Sequence, residues 1–131
     1  MRETIRRSWL QVPTSKPELI DQAARSGADV IVLDLVELVA EQNKHAAREN
    51  FQTAIHTVKA GGAEVFAQID PEFLYLDLNA CVWPGLGGVV VSRAESSRQI
   101  EDVAALLSRL ENVRGLPPDA LKIIAALETA R

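Results

Sequence analysis

Two stretches of this chain, Val30-Ile31-Val32-Leu33 and Val89-Val90-Val91, are unbroken runs of β-branched and aliphatic residues. A strand with one wet face alternates apolar and polar positions. These do not, so they read as strands covered on both faces, which is the mark of a parallel sheet with helices outside it. Three further runs of strand length lie at 9–12, 64–67 and 121–127, and the fourth strand is placed at 88–91.

Helical signals fill the intervals. Ser15 with Glu18 predicts a capping box, and Pro17 suits a first turn, where its missing N–H costs little. Leu19, Ile20, Ala23 and Ala24 continue as an apolar stripe, and Gly27 fits the position just past its end. A second helix is predicted over 44–59, with Ala47, Phe51, Ala54, Ile55 and Val58 on one face and Gly61-Gly62 as its stop. A shorter helical or irregular segment follows at 73–81, broken by Pro84-Gly85. Ser96 with Gln99 predicts another capping box, and Ile100, Val103, Ala104, Leu107 and Leu110 form the stripe of the helix it opens. Gly115 and Pro117-Pro118 end that helix before the last strand. Four βα units and a fifth strand give either an open doubly wound sheet or part of a (βα)8 barrel. The 131 residues are about half of the ~250 that a complete barrel needs.

Composition narrows the function classes. With 47% apolar and 24% charged residues the chain can build a core. Its net charge of −4 lacks the basic footprint of a nucleic-acid or membrane-surface binder, so neither partner is expected. No apolar run approaches the ~20 residues of a membrane span. Residues 1–7 carry charge with no apolar segment behind them, so no signal peptide is expected. Cys81 is the only cysteine, which excludes an intrachain disulfide and a thiolate zinc site and suits a reducing cytoplasm. Cys81 itself reads as a small buried hydrophobe. His45 and His56 stand eleven positions apart, three turns along one helix, too far to share a metal. Gly85, Gly87 and Gly88 precede a strand, whereas a phosphate-cradling loop follows one.

Each strand hands over to polar residues at its carboxyl end. Pro13-Thr14-Ser15 follow the first strand, and Asp34 and Glu37 the second. Gln68 and Asp70 follow the third, Ser92, Arg93 and Glu95 the fourth, and Glu128 the fifth. In a parallel sheet these ends share one edge. Carboxylates, a guanidinium and an amide gathered there can bind a divalent ion and a carboxylate-bearing ligand.

These residues also carry a family resemblance. Arg7-Ser8-Trp9-Leu10-Gln11-Val12-Pro13 is similar to the opening strand of the HpcH/HpaI aldolase/citrate lyase family, in its citrate lyase beta-subunit-like branch. Residues 26–35, Lys44 with Ala46-Ala47-Arg48, Gly88-Val89-Val90-Val91 with Ala94-Glu95-Ser96, and Leu127-Glu128-Thr129-Ala130-Arg131 resemble later blocks in the right order. The resemblance implies the parallel (βα)4β half of a TIM-type barrel, a single partial-barrel domain over 1–131, truncated after its fifth strand. It implies a Mg2+-dependent carbon–carbon lyase acting on an acyl-CoA or acyl-carrier thioester of the citryl or malyl type. It places catalytic carboxylates at Asp34 and Glu37, substrate contacts at Arg7, Gln68 and Arg93, and a metal ligand at Glu128. Gln68 stands where the family has a substrate-binding arginine, Val36 replaces an acid, and Ser92-Arg93 replaces a Pro-Lys pair. The second metal carboxylate falls beyond Arg131. Those departures favour a competing expectation, a non-catalytic binding protein on the same scaffold. An open sheet edge further predicts a homo-oligomer. A receiver-like signalling domain fits the length, but Pro13-Thr14-Ser15 occupies the place of its acidic pair.

Overall fold

A computed structural model describes residues 8–126. Its strands are β1 (Trp9–Pro13), β2 (Val30–Asp34), β3 (Glu64–Ile69), β4 (Gly88–Val91) and β5 (Lys122–Ala125). The helices between them are α1 (Pro17–Ala24), α2 (Lys44–Glu49), α3 (Phe51–Ala60), α4 (Leu74–Cys81) and α5 (Ser97–Val113). All four strand pairings are parallel, in the order β1-β2-β3-β4-β5.

That order decides between the two architectures open to the sequence. A doubly wound sheet reverses its strand order at a switch point. Here every strand lies beside its sequence neighbour, as in a (βα)8 barrel. The helices consequently share one face. Ile31, Leu33, Val65, Ala67, Val89 and Val91 pack there with Ile20, Phe51, Ile55, Val58, Leu78, Val103 and Leu107. The alternate residues Val30, Val32 and Phe66 form a separate cluster with no helical member, and Val90 and Ile124 pack against it. The helices expected outside the sheet thus lie on one of its faces, and both faces of the strands are covered. The apolar runs are continuous because strand side chains cover one another on the second face, as they do inside a barrel.

Local chemistry accounts for the element boundaries. Pro17 occupies the first helical position of α1 and makes Lys16 the N-cap residue, without a side-chain cap. Ser15 is thereby one residue too early, so the Ser15–Glu18 capping box is not made. The forward half of the second predicted box is made, with Ser96 Oγ accepting from the Gln99 N–H at 3.3 Å, while Gln99 Oε1 accepts from the N–H of Glu95, one residue before the N-cap, at 2.6 Å. The helix expected over 44–59 divides at Asn50, whose side-chain amide donates to the Thr14 carbonyl at 3.1 Å and ties the break to the end of β1. The last strand is shorter than the apolar run 121–127, and Leu127 lies outside the described residues. Among the described residues no helix is long and apolar enough to cross a membrane.

At the base of the helix-free face, the Trp9 and Phe66 rings sit 5.5 Å apart at 48°. Gly88 makes room for them. A Cβ there would lie 2.7 Å from the Phe66 ring and 2.5 Å from the Lys122 carbonyl oxygen, and the latter is backbone that cannot move aside. Gly88→Ala is expected to destabilise the fold by about 1–3 kcal/mol through overpacking. Urea denaturation checks this, with a lowered midpoint at unchanged slope.

Candidate functional site

The sheet register brings the strand ends to one rim. Pro13 pairs with Asp34, Asp34 with Gln68, and Gln68 with Val90, so Ser92 and Arg93 leave β4 beside the same edge. A cleft of about 360 Å³ opens here on the helix-free face. Trp9, Val32, Val90, Ile124 and Ala126 give it apolar walls, and Gln11, Glu37, Gln68, Ser92 and Arg93 give it polar ones. Three of the expected site residues, Glu37, Gln68 and Arg93, thus line one cleft. Arg7 and Glu128 lie outside the described residues.

Asp34 reaches the rim but does not face the cleft as a free acid. It is fully buried. Its Oδ1 accepts from the backbone N–H groups of Val36 (2.7 Å) and Glu37 (3.1 Å). Its Oδ2 accepts from the Leu38 N–H (2.9 Å) and the Gln11 amide (2.8 Å). A carboxylate offers about four acceptor positions, and all are taken. Asp34 therefore organises the turn after β2. Lys44 closes the same turn by donating to the Leu35 and Val36 carbonyls, each at 2.9 Å. The turn so fixed carries Glu37, an exposed carboxylate whose Oε2 lies 3.4 Å from Ser92 Oγ.

Arg93 adopts a left-handed backbone conformation with φ +51°, uncommon for a residue other than glycine. Its Nη2 lies 3.7 Å from Asp70 Oδ2. Asp70 is in turn tied inward, because its N–H donates to Asp77 Oδ2 at 2.9 Å. Asp77 Oδ1 accepts from Arg48 Nε at 2.8 Å. Burial pushes the Asp77 carboxyl above the usual aspartate value, opposed by the Asp70 N–H and the Arg48 guanidinium. Neither this Arg48–Asp77 pair nor Gln11 is among the site candidates legible at the strand ends. Asp77 is the one charged residue in the apolar run of α4, a legible sign of a buried charge that needs a partner. No local pattern marks Arg48, 29 positions away, as that partner.

The remaining candidates sit apart from the cleft. His45 pairs with Glu49 at 3.2 Å on the exposed face of α2, and His56 is exposed on α3. Cys81 is fully buried, and burial raises its thiol well above the ordinary range, which makes it inert. For a divalent ion the donor set does not suffice: among the described residues no group of three or more His, Cys, Asp or Glu side chains assembles. Asp34 has no acceptor to spare, and a lone Glu37 with the Ser92 hydroxyl falls short of the six oxygens Mg2+ prefers.

A sheet of sequential parallel strands with polar groups at its carboxyl rim defines a barrel-type α/β protein of the kind that houses enzyme sites at that rim. The chain belongs to the HpcH/HpaI aldolase/citrate lyase family, whose pattern matches residues 7–131. It is 29% identical, over 98% of its length, to the citrate lyase subunit beta of Leuconostoc mesenteroides subsp. cremoris, of which it covers 43%. It is 29% identical, over 85% of its length, to the L-malyl-CoA/beta-methylmalyl-CoA lyase of Rhodobacter capsulatus, of which it covers 37%. The crystal structure of Mycobacterium tuberculosis CitE with magnesium and acetoacetate superposes with a TM-score of 0.67 at 28% identity, over 98% of this chain and 48% of that one. Haloferax volcanii malate synthase shares the fold alone, with a TM-score of 0.80 at 15% identity over 98% of this chain and 44% of that one. The chain thus spans less than half the length of these relatives.

Two outcomes check the site. Asp34→Ala strands buried N–H donors and is expected to lower stability by about 2–4 kcal/mol. Hydrogen exchange should then show lost protection at the Val36, Glu37 and Leu38 amides. For Asp77, the folded state holds a proton more tightly than the unfolded chain does. Its contribution is full below the ordinary aspartate pKa of about 3.9 and declines as pH rises through the raised folded value. Asp77→Asn should therefore lose less stability than the wild type as pH rises from about 4, measured by urea midpoints across a pH series.

Proposed function

We propose that the cleft receives a carboxylate-bearing 3-hydroxyacyl thioester, and that the chain takes part in carbon–carbon cleavage of a citryl-CoA or malyl-CoA type of substrate. The observation that carries this reading is the convergence of Glu37, Gln68, Ser92 and Arg93 on one cleft at the carboxyl rim of a parallel sheet. Family membership and the names of the relatives support the substrate class. So does the M. tuberculosis CitE structure that contains acetoacetate and coenzyme A.

Each rim group has a task that suits its chemistry. Arg93 grips the substrate carboxylate with its planar fork of donors. The Gln68 amide and the Ser92 hydroxyl add neutral donors. Glu37, held by the turn that Asp34 organises, takes the proton of the 3-hydroxyl. The C2–C3 bond then breaks, C3 becomes the carbonyl of a 2-oxo acid, and the electron pair passes to the thioester as an enolate. Glu37 returns its proton to C2, so the thioester product and the oxo acid balance the reaction. Magnesium in the structures of M. tuberculosis CitE supports a requirement for the ion in this family. The described residues do not supply its ligands, and Glu128 is proposed to supply one of them.

A second reading, binding without turnover, is favoured by Gln68 in place of an arginine and by Asp70, which holds Arg93. Incubating the chain with malyl-CoA and Mg2+, with calorimetry for binding and chromatography for acetyl-CoA release, separates the two. Cleavage that Glu37→Gln abolishes while binding persists is the expected result. Binding without release gives the site to the second reading, and no binding overturns both. Gln68→Arg is expected to tighten binding about tenfold, the worth of one charge-assisted hydrogen bond.

A further inference from the structure

We propose that the buried Arg48–Asp77 pair is a positioning device for Arg93, acting through Asp70; the inference rests on the cleft being a carboxylate-binding site. Asp77 projects from the middle of α4 and is 1% exposed. A buried carboxylate is costly unless paired, and pairing alone seldom stabilises more than a packed apolar residue does, so its presence asks for a further reason. Its two oxygens point to one. Oδ1 takes Arg48 Nε from α2, and Oδ2 takes the Asp70 N–H at the exit of β3.

Asp70 is thereby fixed from two sides. Its N–H is held by Asp77, and its own Oδ1 caps the 3-10 turn Pro71–Phe73 by accepting from the Glu72 N–H at 2.9 Å. The remaining oxygen, Oδ2, is directed at Arg93. Arg48 is steadied in turn, with its guanidinium 5.9 Å from the centre of the Phe73 ring. From helix layer to cleft the four charges run Arg48, Asp77, Asp70, Arg93, two carboxylates between two guanidinium groups. The repulsion in that like pair of carboxylates is opposed at Asp77 by the Asp70 N–H and by the Arg48 guanidinium. Arg93 is half exposed and long, and among the described residues Asp70 is the carboxylate that holds it in an ion pair. Where Asp70 stands decides where the guanidinium waits, and how readily an incoming carboxylate takes it over. Fixing that position in advance saves the ligand part of the ordering cost of binding.

The test reads Arg93 directly in the ligand-free chain. In Asp77→Ala the Asp70 amide should lose protection from hydrogen exchange, and the Arg93 Nε–H resonance should move toward that of a free arginine. Malyl-CoA affinity should fall about tenfold. Asp77→Asn, which keeps an acceptor for the Asp70 N–H, should recover most of both. Arg48→Lys, which keeps the charge and changes the geometry, should move Arg93 in the same direction by less. Glu111→Gln supplies the control for stability. Glu111 is another buried acid, bound to the Asp119 and Leu121 amides away from the rim, and its loss should leave the Arg93 signal in place. If Arg93 stays put in both Asp77→Ala and Arg48→Lys, the positioning role is wrong. If Arg93 moves in them but the wild type binds no malyl-CoA, the positioning role stands and the ligand assignment fails.

Discussion

Everything in this molecule follows from how its crossovers run. Each strand is laid beside the one before it, always parallel, so every helix lands on the same side of the sheet. The other side is left to the strands' own side chains. That constraint makes the base of the helix-free face a small aromatic and aliphatic cluster, and it leaves no room for a side chain at Gly88. It also turns the carboxyl ends of the strands into the rim of a cleft. A doubly wound sheet built from the same elements would have covered Val32 and Phe66 with helices and closed that cleft.

Carboxylates at the rim divide into scaffold and surface. Asp34 and Asp77 are both buried, and both spend their oxygens on backbone N–H groups and a single side-chain donor. One shapes the turn after β2, the other the exit of β3. Glu37 rides on the turn that Asp34 holds, and Arg93, at the exit of β4, pairs with Asp70 on the segment that Asp77 holds. Such a division lets a site present charge to a ligand without leaving the charged groups free to wander.

By the family resemblance, Gln68 stands where a substrate arginine is expected, the main chemical departure it implies. An amide can hydrogen-bond but carries no charge, so among the described residues that line the cleft Arg93 is the cation. Asp70, two positions beyond Gln68, then matters more, since it competes for that cation.

The sequence by itself determined the elements and the rim. Unbroken apolar runs favour parallel strands, Pro17 and Ser96 set where helices start, and the polar handover after each strand placed Glu37, Gln68 and Arg93 at one edge. These are local signals, carried by neighbouring residues. Which face the helices cover, why Asp34 is spent within its own turn, and how Arg48 reaches Asp77 were decided only by tertiary structure. Those facts depend on strand order and on pairs such as Gln11 with Asp34, 23 positions apart. A hydrogen bond between distant residues leaves no periodic trace along the chain, because its geometry exists only once the intervening crossover has folded back on the sheet.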